Sequence, residues 1–202
     1  MKIKVCGITR EEDIAELLLA DVDFIGFNFI KSSPRNIEID WAVNIIKKYK
    51  IQKKAVPLCE ISDLKTVHNK LKDFNLVFYQ VYNADDSLNE IEEFKLNYFL
   101  PTSATKLKQN IDNDLFIDDK DKYLLDNFEH GLGGSGVKFN WNDLATTKLD
   151  NCMIAGGIEI KDLNTLKKMG CWGVDLNSKL EDSPGIKNHE LIKKLGDFIK
   201  SG

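Results

Sequence analysis

A chain of 202 residues, 43% hydrophobic and 30% charged, has room for one well-cored domain and little room for two. Its net charge of −4 and pI near 5.5 make no electrostatic case for a nucleic-acid partner. No apolar run approaches the ~18 residues that a span needs, so no membrane partner is expected.

Met1-Lys2-Ile3-Lys4-Val5-Cys6 enters a strand pattern at once and leaves no room for a signal peptide. A helix over 11–20 follows, opening on acids that suit its N-terminus. Next come a strand at 23–29, a helix across 40–49, a strand at 53–58 and a helix across 62–73. LVFYQV at 76–81 precedes a helical stretch near 86–94, and NYFL at 97–100 precedes a weaker one near 104–111. YLLD at 123–126 leads through a glycine-rich loop to a helix near 141–147. CMIA at 152–155 is followed by a helix at 160–169, and WGVDL at 172–176 by a last helix at 188–199.

Eight strand–helix units follow one another, and most strands are continuous apolar runs, as expected when both faces of a parallel sheet are buried. The pattern predicts an α/β protein, a single (β/α)8 TIM barrel over residues 1–202, with a doubly wound open sheet as the rival. Pro57 sits awkwardly in the third strand, because proline cannot donate to a ladder.

In such a barrel the chemistry lies where strands end and βα loops begin. Cys6 ends the first strand, Arg35 lies on the loop after the second, and Asp126 ends the sixth. Gly156-Gly157 follow the seventh, and Asp175, Asn177 and Ser178 end the eighth, so all meet at one mouth. AGGIEIKDL puts two glycines between strand and helix, where freed backbone N–H groups can approach an anion. With DLNS on the next strand end, this predicts a phosphate site of Gly156, Gly157, Asn177 and Ser178, a plain tight turn at the glycine pair being the other reading. Arg10 and Arg35 are the only arginines beside 26 lysines, and an arginine fork binds carboxylate or phosphate as lysine cannot.

Residues 131–136, GLGGSG, match G-x-G-x-x-G by letter but stand four residues beyond Asp126 and lead into VKFNW, the wrong setting for a dinucleotide turn. A loop folding over a substrate and a plain surface turn remain the readings. His68 and His189 are expected on the surface, while His130, in the glycine loop, could approach a ligand. No histidine or cysteine spacing suggests a metal. Cys152 and Cys171 fall at strand starts and are expected to be buried small apolar residues; Cys59, after the third strand, is left undecided. The four cysteines form no CxxC pair, which fits a reducing, cytoplasmic setting.

Together these segments resemble the phosphoribosylanthranilate isomerase family of tryptophan biosynthesis. The resemblance runs through KVCGITR (4–10), GFNFIKSSPR (26–35), LLDN (124–127), GGSGVKFNW (133–141), IAGGI (154–158) and GVDLNSKLEDSPGIKN (173–188). It implies a cofactor-independent Amadori rearrangement of N-(5-phosphoribosyl)anthranilate to 1-(2-carboxyphenylamino)-1-deoxyribulose 5-phosphate. By position it implies Cys6 as general base, Asp126 as general acid, Arg35 as clamp on the aromatic carboxylate and Asp175 beside the ribose hydroxyls. The partner is then a small phosphorylated substrate carrying an aromatic carboxylate, with monomer and homodimer both open.

Three departures accompany it. Gln80-Val81-Tyr82-Asn83 stands where the family commonly has Gln-Leu-His-Gly, Val56-Pro57-Leu58-Cys59 where it has Val-Gly-Val-Phe, and Lys179 where a glycine is usual. A catalytically silent, phosphate-binding barrel derived from the family is the second reading. A third is the related phosphosugar isomerase of histidine biosynthesis, which uses an aspartate at the position of Cys6.

Overall fold

A computed structural model describes residues 1–83, 91, 93–107, 122–126, 141–144 and 148–202. The helices expected near 86–94, 104–111 and 141–147 lie partly outside these residues, and Asn127, His130 and the glycine run at 131–136 wholly so.

Eight parallel strands close into a barrel: β1 (Lys2–Val5), β2 (Phe24–Asn28), β3 (Ala55–Glu60), β4 (Tyr79–Tyr82), β5 (Tyr98–Thr102), β6 (Lys122–Leu125), β7 (Cys152–Ile154) and β8 (Gly173–Leu176). Closure is explicit at β1, where Lys4 lies opposite Phe24 of β2 on one side and Asp175 of β8 on the other. That closure decides against the open sheet.

Side chains alternate across each strand, and the alternation sorts the core into two. Facing inward, Phe24, Phe78, Phe99 and the half-buried Trp172 pack their rings at centroid distances of 4.5–5.8 Å, with Val56, Leu58, Leu124 and Met153 in the same cluster. Facing outward, Ile3, Val5, Ile25, Phe27, Val81 and Ile154 meet the apolar stripes of the helices. Among the described residues those helices are α1 (Glu11–Leu19), α2 (Ile39–Tyr49), α3 (Ile61–Leu71), α4 (Leu163–Lys168) and α5 (His189–Ser201). Helical spacing puts Ala42, Ile45 and Ile46 on the buried face of α2 and Leu64, Val67 and Leu71 on that of α3. Asn188 caps α5, its side chain accepting from Leu191 N. An antiparallel hairpin, β9 (Glu181–Ser183) with β10 (Ile186–Lys187), follows β8.

The structure revises several expectations. The carbonyls of Lys54 and Leu58 accept from Ile25 of β2 and from Phe29 just beyond it, so the backbone groups of Pro57 turn to the β4 side, where pairing begins only at Leu58 opposite Gln80. Pro57 is thus tolerated because its missing N–H falls just before that ladder starts. Cys59 does not follow β3 but lies within it, buried against the helices, and burial pushes its thiol up to about 12. Cys152 and Cys171 are buried as expected, and desolvation raises them to about 12 and about 11. Residues 141–144 form a 3-10 turn, and the helix expected from 160 opens as a 3-10 turn before α4.

His68 and His189 are not simple surface residues. His68 is half-buried against the rings of Tyr79 and Phe94, and desolvation followed by the Lys72 charge lowers its pKa. His189 reaches the buried Asp13 at 2.9 Å, and Arg10 grips the same carboxylate while donating to Lys187 O. Arg10, left without a role above, therefore ties α1 to the β9–β10 hairpin. Among the described residues no helix is long and apolar enough to cross a membrane.

Candidate active site

Cys6 is the first residue beyond β1, its N–H donating to Leu176 O at 2.9 Å, so β8 holds it at the rim. Lys4 and Cys6 are two residues apart and both face inward. Neighbouring β2 makes room with Gly26, where a Cβ would stand 2.7 Å from the Cys6 sulfur. Burial pushes the Cys6 thiol up, Lys4 and Lys187 pull it down, and Asp175 opposes them; the outcome lies above the ordinary value of 9.0. The cations that would favour a thiolate are there, but desolvation outweighs them.

Lys4 is fully buried, with its ammonium 2.5 Å from Asp175 Oδ2. Burial alone would lower its pKa, but Asp175 and the negative charge of a Cys6 thiolate outweigh it and raise it above 10.5. Asp175 Oδ1 is buried without a hydrogen-bond partner among the described residues, an acceptor turned toward the barrel interior.

Across the mouth Asp126 is buried directly after β6, placed by its own N–H donating to Thr102 O of β5. Tyr82 ends β4, and its hydroxyl accepts from Gln80 Nε2 at 2.7 Å. Desolvation, then the negative charges of Cys6, Asp126 and Asp175, hold this phenol well above 10. Tyr82 thus stays protonated at neutral pH, and the three acidic groups lie close enough for their charges to act on it.

Arg35 is also buried, but its fork is engaged: Nε and Nη2 donate to Glu181 at 2.7–3.1 Å. That leaves Nη1 with no recorded partner among the described residues. Glu181 also accepts from Lys187 Nζ at 2.8 Å, and despite burial these cations lower its pKa. Lys187, fully buried as a side chain, donates as well to Asn177 Oδ1 at 2.8 Å. Gly7, at φ +72°, lets these groups converge, since a Cβ there would meet Arg35 Cδ at 2.5 Å and Asn177 Oδ1 at 2.9 Å. Gly7→Ala is expected to leave a folded barrel about 1–3 kcal/mol less stable, because it adds both left-handed strain and that clash; unchanged thermal unfolding would disprove the close approach.

Gly156 and Gly157 follow β7 at φ +85° and +62°, left-handed conformations that glycine adopts at little steric cost. Strand β8 pairs with β7, so Asn177 and Ser178 come beside them. The structure therefore gathers all eight predicted residues at one end of the barrel. Lys4, Glu181, Lys187, Gly7 and Gly26 escaped the sequence reading. Only Lys4 carried a legible signal, because period-two alternation from Cys6 puts it inside.

The family model described as N-(5′-phosphoribosyl)anthranilate (PRA) isomerase matches residues 3–197. An N-(5′-phosphoribosyl)anthranilate isomerase of Leptospira interrogans is 31% identical over 210 residues, covering 99% of this chain and 95% of that protein. The tryptophan biosynthesis protein TrpCF of Yersinia pestis is 31% identical over 98% of this chain but 41% of its own length, so the chain spans about two-fifths of such relatives. The crystal structure of phosphoribosyl anthranilate isomerase from Thermotoga maritima superimposes with a TM-score of 0.82 at 21% identity, each chain covered in full. At that identity the likeness speaks for the fold.

Proposed function

Because the chain belongs to the N-(5′-phosphoribosyl)anthranilate isomerase family, we propose that it isomerises N-(5-phosphoribosyl)anthranilate to 1-(2-carboxyphenylamino)-1-deoxyribulose 5-phosphate, a step of tryptophan biosynthesis, in the cytoplasm and without a cofactor. The observation that carries this reading is the convergence of Cys6, Asp126 and Asp175 around Tyr82, beside the paired loops of Gly156-Gly157 and Asn177-Ser178.

Each chemical step finds a group. Asp126 gives a proton to the furanose ring oxygen; the anomeric C–O bond breaks as the anthranilate nitrogen lone pair forms a C=N bond. The Cys6 thiolate then takes the proton from C2. The electron pair of that C–H bond forms C1=C2, and the C=N electrons return to nitrogen. The resulting enol becomes the ketone by moving its hydroxyl proton to C1. Asp175 Oδ1, lacking a partner among the described residues, suits a ribose hydroxyl. The glycine pair with Asn177 and Ser178 suits the phosphate, and binding at both ends holds the reacting carbons between base and acid.

Arg35 keeps its role in a narrower form. Since Glu181 occupies Nε and Nη2, the substrate carboxylate is left the Nη1 end of the fork. Arg35→Lys is expected to raise KM about tenfold or more with kcat less affected, because a point charge replaces the fork; an unchanged KM would remove the clamp.

The raised Cys6 thiol and the occupied Arg35 fork favour, as second reading, a silent barrel that binds phosphorylated ligands only. Turnover of phosphoribosylanthranilate, generated in situ and followed by loss of anthranilate fluorescence with no metal or nucleotide added, separates the two. Turnover supports the isomerase, whereas ligand binding without turnover supports the silent barrel.

A further inference from the structure

The buried cation beneath the proposed base has no part in the steps above, and its placement calls for one. We propose that Lys4 is a positioning residue that holds its ammonium against Cys6, stabilising the thiolate that takes the C2 proton; this rests on the isomerase reading. Lys4 and Cys6 leave β1 on the same face, and Asp175 fixes the Lys4 ammonium from the paired position on β8. The lysine is therefore held at both ends of its side chain, on the same inward face as Cys6 two residues on, and its charge acts on the Cys6 sulfur. With no exposed surface, the ammonium lies out of bulk solvent, where a charge acts more strongly than in open water.

The surrounding groups make Lys4 the dominant cation. Asp175 reaches Cys6 from β8, Tyr82 from β4, Lys187 from β10, and Asp126 acts on Tyr82 from the end of β6. Lys187 is already committed to Glu181 and Asn177, and Glu181 also absorbs Arg35. Among the described residues Lys4 is thus the cation nearest in effect to the thiol, ahead of Lys187. Remove it and a Cys6 thiolate would face Asp175 with its counter-charge gone.

A purely structural role, in which Lys4 only neutralises Asp175, makes a different prediction. The test is the pH profile of Cys6 alkylation by iodoacetamide, read on the Cys6 peptide by mass spectrometry in the wild type, in Lys4→Met and in Lys4→Met/Asp175→Asn. Lys4→Met is expected to move the midpoint upward by ~1 unit or more, since an opposite charge at contact shifts a pKa by ~1–3 units. The double variant removes the stranded carboxylate and so also serves if the single one fails to fold. Its midpoint is expected to stay above the wild type, because Lys4 acts on Cys6 more strongly than Asp175 does. A midpoint unchanged in Lys4→Met, or returned to the wild-type value in the double variant, would overturn the proposal. Alkylation needs no substrate, so a wild type that fails to turn over while Lys4→Met shifts the midpoint would sink the isomerase reading and leave the Lys4–Cys6 coupling standing.

Discussion

Cys6→Ser is expected to lower kcat about 10³-fold, or about 4 kcal/mol in the barrier, while leaving binding of a phosphorylated product analogue nearly unchanged. A serine hydroxyl has no accessible anion at neutral pH, whereas even a raised thiol keeps a reactive minority of thiolate. The replacement is small enough to isolate chemistry from packing. Cys6 stands against Gly26, where the sulfur already takes the space a Cβ would need, so the smaller oxygen fits without displacing β2. The backbone bond from Cys6 N to Leu176 O does not depend on the side chain and should hold the rim in place. Near-normal single-turnover rates in Cys6→Ser would exclude the residue as base.

Asp126→Asn is expected to cost about 10²–10⁴-fold in kcat, with KM changed by less than about threefold. An amide matches the carboxyl in shape but cannot hand a proton to the ring oxygen. The backbone hydrogen bond to Thr102 O again survives the change, so the loop leaves β6 in the same direction. The variant also removes one negative charge from around Tyr82 and should therefore lower the phenol's pKa. Tyrosinate absorbance against pH checks that part separately from activity. If Asp126→Asn turned over normally, proton donation would belong to another group, and Tyr82, a protonated phenol within reach of the Asp126 charge, would be the first to replace.

Tyr82 also bears on the departure from the family at the end of β4. Where an imidazole is usual, this chain has a phenol that stays neutral and accepts a hydrogen bond from Gln80 on its own strand. Such a group can donate or accept at the end of β4 without adding charge. At β3, Pro57 proved to be a departure without consequence for the ladder.

Much of the molecule was legible in the order of its residues. Apolar runs of strand length alternating with helical stripes pointed to a parallel α/β sheet, because burial on both faces accounts for a strand such as CMI. Strand ends then located Cys6, Arg35, Asp126, Gly156, Gly157, Asp175, Asn177 and Ser178 at one mouth, since all parallel strands point the same way.

What the one-dimensional pattern could not contain is anything that depends on which strand ends become neighbours through closure. Pairing of β1 with β8 puts Lys4 against Asp175, residues 171 positions apart, and makes a solvated-looking lysine a buried cation under Cys6. The hairpin after β8 folds back to place Glu181 on Arg35 and Lys187 on Asn177, so an arginine read as an open clamp is already half engaged. Desolvation, too, belongs to the closed barrel: the sequence by itself determined where the thiol stands, but the tertiary structure decided how hard it is to ionise, because a charge's energy is set by the water removed around it and by the counter-charges brought within reach.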